Sequence, residues 1–590
     1  MTGFLKAISV FAALAASGAV AQEAADAVVP EVATALVREV SPELQASLQA
    51  KQAGKPVEAE NWMVAAAHPL AVEAGARVLR EGGTAADAMV AVQAVLGLVE
   101  PQSSGLGGGA FLVWYDAASG EITTLDGRET APLAATPRML LDADGKPQKF
   151  FEAVVGGLSV GTPGTPRLME VAHRKWGRAN WASLFDEAIS HAEDGFAVSP
   201  RMAASVARDA GRLAVHPETA AYFLPDGTPL AEGQILRNPA YAASVRALAE
   251  KGAEPFYTGD IAAEILTAVR SAPKPGLLSD VDLALYEVKE RPAACASYRG
   301  FDVCGMGPPS SGGIAVGQIL GILEPFDMTG LGPDDPVTWR LIGDAMRLAF
   351  ADRGKYVADD DFVPVPTKGM LTQEYLTGRA ELLRRDTALD VVAPGTPEFD
   401  HALNWAPDEE RAAPSTSHIS IVDAYGNALS MTTTIENGFG SRVMANGYLL
   451  NNELTDFSFR SHRDGVPVAN RVEPGKRPRS SMAPTIVLWK GKPVLVVGSP
   501  GGSRIIPYVA KTIIAHIDWE MDVQQAVAMP HLANRFGTFE MEEPRMQADL
   551  QAMGFETKVR DLNSGLHAIS IGDRLQGGAD PRREGLAVGQ

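Results

Sequence analysis

The sequence predicts a single α+β domain. Three observations lead there. Strand-like runs and helical patterns both occur, with a mainly helical stretch over 164–275. A hairpin pattern at 418–435 lies late in the sequence, with Ala424-Tyr425-Gly426-Asn427 as its turn. Between 61 and 590 there is no internal repeat, low-complexity tract or flexible linker. Hydrophobic residues at 46% and charged residues at 21% describe an ordinary globular chain, and 590 residues suffice for a large core.

Residues 1–21 carry one basic residue, Lys6, an apolar run over 7–20 and a small-residue cleavage site, Ala19-Val20-Ala21. That is the pattern of a secretory leader, and the run is too short to span a bilayer comfortably. Periplasmic or secreted placement is the expectation. Residues 22–59 form an N-terminal extension, with Ser41-Pro42-Glu43 as a helix start and a peripheral helix or mobile arm expected. A strand-like run at 62–69 leads into a helix over 70–81, closed by Gly82-Gly83. Thr84 caps a second helix, 85–99.

The stretch Glu100-Pro101-Gln102-Ser103-Ser104-Gly105, followed by Gly107-Gly108-Gly109, lacks the Lys-Ser/Thr of a phosphate loop and enters a strand at 110–115 instead. A strand at 121–125 ends in Asp126-Gly127-Arg128-Glu129. Gly157-Leu158-Ser159-Val160-Gly161 spells a nucleophile elbow, but Pro163 and Pro166 follow where a helix should start. Helices are expected at 199–213 and 240–251, a hairpin at 292–306 and helices at 314–323 and 337–353. In the last of these, acid-to-base pairs read as a solvated face. Residues 384–415 show no clear period.

Net charge −20 argues against nucleic acid or an anionic membrane surface as partner. Ten scattered histidines without H-E-x-x-H, and only two cysteines, give no metal site; no cofactor is expected. Counting outward from Arg299-Gly300 sets Cys295 opposite Cys304. Both a disulfide and a pair of buried thiols fit that register.

The hairpin brings chemistry together. With the turn centred on Tyr425, equal counts outward set Thr434 opposite Thr416, and Thr432, Thr434 and Glu436 share one face. A threonine hydroxyl becomes a nucleophile when a base removes its proton, and the residue's own α-amine, titrating near about pH 8, is one such base. Thr416 must then become a chain terminus, so the Ser415–Thr416 bond must be cut. Attack of the same hydroxyl on the Ser415 carbonyl would do it. His418, carried by strand geometry, has a structural or orienting role.

Several motifs in order resemble one family. They are Thr416-Ser417-His418, the Asp423…Gly426-Asn427 turn and Thr434-Ile435-Glu436-Asn437-x-Phe439-Gly440, then Leu449-Leu450-Asn451-Asn452-Glu453-x-x-Asp456-Phe457. Arg477-Pro478-x-Ser480-Ser481-Met482 and Gly498-Ser499-Pro500-Gly501-Gly502-Ser503-Arg504 complete the set. The chain from 61 to 590 resembles the γ-glutamyltransferases, self-cleaving N-terminal-nucleophile hydrolases. The resemblance implies a four-layer αββα sandwich and two subunits, 60–415 and a catalytic 416–590. It also implies a γ-glutamyl donor such as glutathione, with water or an amino-acid or peptide acceptor.

By the same resemblance Thr416 is the nucleophile and Thr434 orients it, while Gly501 and Gly502 offer oxyanion N–H groups. Arg128, Ser480 and Ser481 would hold the donor's α-carboxylate; Glu436, Glu453 and Asp456 would hold its ammonium. The loop 457–479, at the family's lid position, contains no tyrosine, which leaves a shorter or absent lid. Two other readings stay open. One is a glutaryl-cephalosporin-type acylase, against which Glu453 and Asp456 argue because such a substrate lacks the α-amine. The other is a secreted protein that never matures.

Overall fold

The computed structural model describes residues 41–401, 404–408 and 415–590. The expected leader at 1–21 lies outside them. Two seven-stranded antiparallel sheets form the centre. The first runs, strand beside strand, Leu586–Gly589, Met63–Ala66, Ser417–Val422, Ala428–Thr434, Gly109–Tyr115, Ile122–Gly127 and Lys289–Arg291. The second runs Val57–Ala59, Leu575–Ala579, His567–Ile571, Lys492–Gly498, Thr485–Trp489, Phe301–Gly305 and Ala294–Tyr298.

The sheets pack face to face. Met63, Val113 and Val422 of the first meet Ile486, Val496 and Ile569 of the second. Helices cover each outer face: Pro69–Arg80, Ala85–Val99 and Thr165–Trp176 on the first, Gly312–Leu323, Pro336–Tyr356 and Ile505–Ile517 on the second. The expected four-layer αββα sandwich is what forms. It forms because strands with two buried faces need apolar cover on both sides. Both sheets contain strands from before and from after Ser415–Thr416, hydrogen-bonded side by side, so cutting that bond leaves the sheets paired.

Strand Ser417–Val422 shows how period two divides the work. Ile419 and Ile421 enter the helix-side core. His418 and Ser420 face the other sheet, where the Ser420 hydroxyl donates to the His567 carbonyl at 3.1 Å. Ser430 donates likewise to Val497 O at 3.1 Å. Ser420 and Ser430, with the His418 ring between strands, thus place hydrogen-bonded polar groups in the inter-sheet layer, as burial requires.

Five sequence readings need comment. Thr84 caps Ala85–Val99 in a full capping box with Asp87. Ser159 lies in a buried 3-10 turn and donates to Val154 O, so no nucleophile elbow exists there. The acid and base residues of Pro336–Tyr356 are not a solvated face. Asp344, Asp352 and Arg353 are buried, and Asp352 accepts from Gln318, Tyr375 and Gly395. The irregular chain near 389–395 covers that face, and pair spacing along one helix cannot register such cover. The segment 41–59 is likewise no arm: Ser41 caps helix Pro42–Gln52, and Val57–Ala59 is an edge strand of the second sheet. Cys295 and Cys304 are directly opposed, Cα atoms 4.1 Å apart, and disulfide-bonded.

Candidate active site

The hairpin register is Ser417↔Thr433 through Val422↔Ala428, which continues to Thr416 opposite Thr434. Asp423 fixes the turn by accepting from the N–H groups of Tyr425 and Asn427. Thr416 Oγ1 lies against the Ser415 carbonyl oxygen and 3.4 Å from Thr434 Oγ1. The Thr434 hydroxyl donates to the same carbonyl at 3.2 Å and accepts the Glu436 N–H at 2.8 Å. Both threonines are buried.

Residues around the bond hold it from outside the hairpin. The Ser415 hydroxyl donates to Gln102 O at 2.8 Å, the Ser417 hydroxyl to Glu100 at 2.8 Å, and Arg583 Nη1 to Thr416 O at 3.2 Å. Glu100 is itself paired with Arg201 at 2.6 Å. Glu100, Gln102, Arg201 and Arg583 were not foreseen as part of this centre. The polar run Glu100–Ser104 at the mouth of a strand was the available signal for the first two.

One small pocket is lined by Arg128, Ser415, Thr416, Thr434, Glu436 and Glu453, together with Asp456, Ser480, Ser481 and Gly502. It thus gathers nearly every residue singled out in the sequence. Gly501 stands one residue away. Its φ of 135° and the approach of Tyr508, 2.8 Å from where a Cβ would sit, leave room only for glycine. The pair opens the turn into helix Ile505–Ile517, whose positive end therefore faces the pocket.

Charge in the pocket is arranged in pairs. Arg128, almost wholly buried, contacts Glu453 and Asp456, lies 3.9 Å from Glu129 and donates to the carbonyls of Pro478 and Arg479. Burial pulls its pKa down, but the charges of Glu453 and Asp456 outweigh this, so it stays a guanidinium. Burial raises Glu453 against the pull of Arg128. Burial, and next the Glu453 charge, push the pKa of Glu129 well above the usual carboxylate value. Ser481 accepts from Arg353 at 2.6 Å, and Glu436 is bound by Asn452.

His418 sits behind Thr432 and Ser420, hydrogen-bonded to both at 2.9 and 3.0 Å. Burial drives its pKa well below the usual histidine value, so it is neutral. The loop 457–479 forms a small hairpin, His462–Arg463 with Val466–Pro467. It is tied to the chain before the cut: Ala406 N donates to Pro467 O at 2.9 Å, and Arg479 pairs with Asp408 at 2.8 Å. The chain's acidic trio Asp359, Asp360 and Asp361 is the one metal-like grouping among the described residues, and Arg291 already pairs with all three.

The gamma-glutamyltranspeptidase family model matches residues 71–590. The chain belongs to that family. It is 38% identical over 549 residues to a glutathione hydrolase proenzyme of Bacillus subtilis, covering 90% of this chain and 92% of that protein. The corresponding proenzyme of Escherichia coli is 36% identical, over 89% and 91%. A solved cephalosporin acylase from Bacillus halodurans superposes with a TM-score of 0.80 at 26% identity, covering 91% of this chain and 97% of that one. As a family member, the chain places its motif residues within one pocket rather than along a surface.

Proposed function

We propose that the protein is a self-processing γ-glutamyltransferase and glutathione hydrolase, matured by cleavage at Ser415–Thr416. The observation that carries the reading is the Thr416 hydroxyl lying against the Ser415 carbonyl, inside the pocket that holds Arg128, Glu453 and Asp456. In the first step Thr416 Oγ1 attacks the Ser415 carbonyl carbon and the C–N bond breaks. The acyl group moves to oxygen, and the nitrogen becomes the Thr416 α-amine. Water then hydrolyses the ester and frees the Ser415 carboxylate. Thr434, donating to the carbonyl oxygen, would stabilise the charge that develops there.

The open space left in the uncut pocket is about 20 Å³, room for roughly one water. A γ-glutamyl group enters only once Ser415 has withdrawn. In the mature site the amine takes the Thr416 proton and the hydroxyl attacks the γ-amide carbonyl. The proton passes to the departing amine, and a γ-glutamyl ester remains. Water releases glutamate from it; an amino acid or peptide takes the glutamyl group instead in transfer. Gly501 and Gly502, at the head of helix Ile505–Ile517, would supply oxyanion N–H groups. The donor's zwitterion fits the pair already present: its carboxylate takes over Arg128 and its ammonium takes over Glu453 and Asp456, so no buried charge is left alone. Ser480, Ser481 and Glu436 complete the contacts.

The acylase reading is supported by the likeness to a solved cephalosporin acylase and to an acylase proenzyme of Pseudomonas, 34% identical over 85% of this chain. Two acids beside Arg128 weigh against it, since a glutaryl group offers no cation to them. The leader pattern at 1–21 supports export, and no helix among the described residues is long and apolar enough to cross a membrane. Intact mass under denaturing, reducing conditions, with turnover of a chromogenic γ-glutamyl anilide, tests the whole reading. Two fragments divided at 415/416 with turnover support it; two fragments that turn over only a glutaryl amide favour the acylase. An uncut, inactive chain refutes both, and Thr416→Ala should remain uncut.

A further inference from the structure

We propose that helix Pro42–Gln52 is a positioning element of the reaction centre, acting through Lys51 and Arg583 on the carbonyl of Thr416. The helix precedes the residues that match the family model, which begin at 71. It carries almost no amphipathic stripe, yet Leu44, Ser47 and Lys51 are buried. Its grip is polar. Lys51 Nζ donates to the carbonyl of Arg583 and, at 2.7 Å, to that of Gly585, while the Ser47 hydroxyl donates to Ala587 O at 2.5 Å. Carbonyls 583, 585 and 587 lie on one side of the run that enters strand Leu586–Gly589. A buried ammonium is costly unless well paired, so a lysine used merely to pin a surface helix would stay in water.

The gripped run ends at the site. Arg583 reaches from the turn before the strand, its Nε donating to Asn563 Oδ1 at 2.9 Å and its Nη1 to Thr416 O at 3.2 Å. Before cleavage Thr416 is held covalently on both sides. Afterwards it is a chain end, and chain ends fray unless tied down. Arg583 ties it from one side and the Ser417–Glu100 hydrogen bond from the other. A cation one peptide unit from the new α-amine also disfavours the ammonium form and keeps the amine a base. Lys51 holds the backbone from which Arg583 projects.

This inference rests on the reading of Thr416 as nucleophile, and its test reads cleavage separately from turnover. In the full chain, Lys51→Met should slow Ser415–Thr416 cleavage and lower kcat for a γ-glutamyl anilide by about fivefold or more, with KM within about twofold. Lys51→Arg should restore both. Arg583→Gln leaves the carbonyls that Lys51 grips untouched, so folding stays testable if Lys51→Met fails to accumulate. It should lower kcat further and move the acid limb of the kcat/KM profile to higher pH. The double variant should be no worse than Arg583→Gln alone. Wild-type cleavage and kcat in Lys51→Met, losses that simply add in the double variant, or an unmoved acid limb in Arg583→Gln would each overturn it. If the wild-type chain is cut but does not turn over the anilide, the assigned function falls while the cleavage time courses still decide this inference. A wild-type chain that is never cut removes both.

Discussion

Thr434 stands directly opposite Thr416 across the hairpin, and their hydroxyl oxygens lie 3.4 Å apart with the Ser415 carbonyl within reach of both. The hydroxyl of Thr434 is itself oriented by the Glu436 N–H at 2.8 Å. Its lone proton is therefore aimed at the carbonyl that the nucleophile would attack. Removing it should slow both uses of the site. Thr434→Ala is expected to cut itself and turn over about 10–100-fold more slowly, while Thr434→Ser stays close to wild type. A gel time course of precursor loss measures the first effect; cleavage of Thr434→Ala at the normal rate would remove Thr434 from the chemistry.

The proposed reading gives Arg128 two duties, pairing the pocket acids and holding the donor carboxylate, that different substitutions should separate. Arg128→Met leaves the buried Glu453 and the half-buried Asp456 without their cation, which costs about 3–5 kcal/mol when a buried pair is broken. Thermal unfolding should fall accordingly. Arg128→Lys keeps the charge but loses the planar fork that holds a carboxylate at two points. KM for the donor should rise about tenfold or more, with a smaller change in kcat. An unchanged KM in the lysine variant would place donor recognition elsewhere.

The hairpin and its partners were legible because side-chain alternation and a well-defined turn leave little freedom of register. Once Tyr425 is the pivot, Thr416 must meet Thr434. The pocket residues were legible as ordered motifs, but not their contacts. Nothing local in the sequence says that Arg128 pairs with Glu453 across 325 residues while the chain is uncut. Asp352 reads as a solvated acid on a helix and is instead an acceptor for four donors from other segments, Gln318, Tyr375, Arg379 and Gly395. Helix Pro42–Gln52 has too weak an apolar stripe to announce that it is docked on strand Leu586–Gly589, because Lys51 and Ser47 anchor it through carbonyls. Periodicity reports apolar cover; it is blind to polar anchoring.

The Cys295–Cys304 bond closes a nine-residue separation in the edge hairpin of the second sheet, away from the pocket. A short closed loop restricts the unfolded chain modestly, by about 2–3 kcal/mol. The double substitution Cys295→Ser/Cys304→Ser should lower thermal stability by that order while kcat and KM stay as they were. Equal stability with and without reductant in the wild type would show that the bond does not form in solution.

Glu584 gives a pH dependence that can be read without any substrate. It is buried next to Arg583, accepts the Arg201 N–H at 3.0 Å, and has its pKa raised to about 7 by burial and by the nearby charge of Glu100. A carboxyl held above its unfolded value binds its proton more tightly in the native state. Its contribution to stability is complete below about pH 4.5 and is lost as pH rises through about 7. The loss is at most on the order of 3 kcal/mol, since each unit of difference is worth about 1.4 kcal/mol. Glu584→Gln cannot ionise and should lose none of it. Between pH 5 and 8 the melting temperature of the wild type should therefore fall relative to that of the glutamine variant, and the two curves should converge on the acid side. Parallel curves across that window would mean that Glu584 titrates as an ordinary carboxylate and that Glu100 and burial do not act on it as the geometry requires.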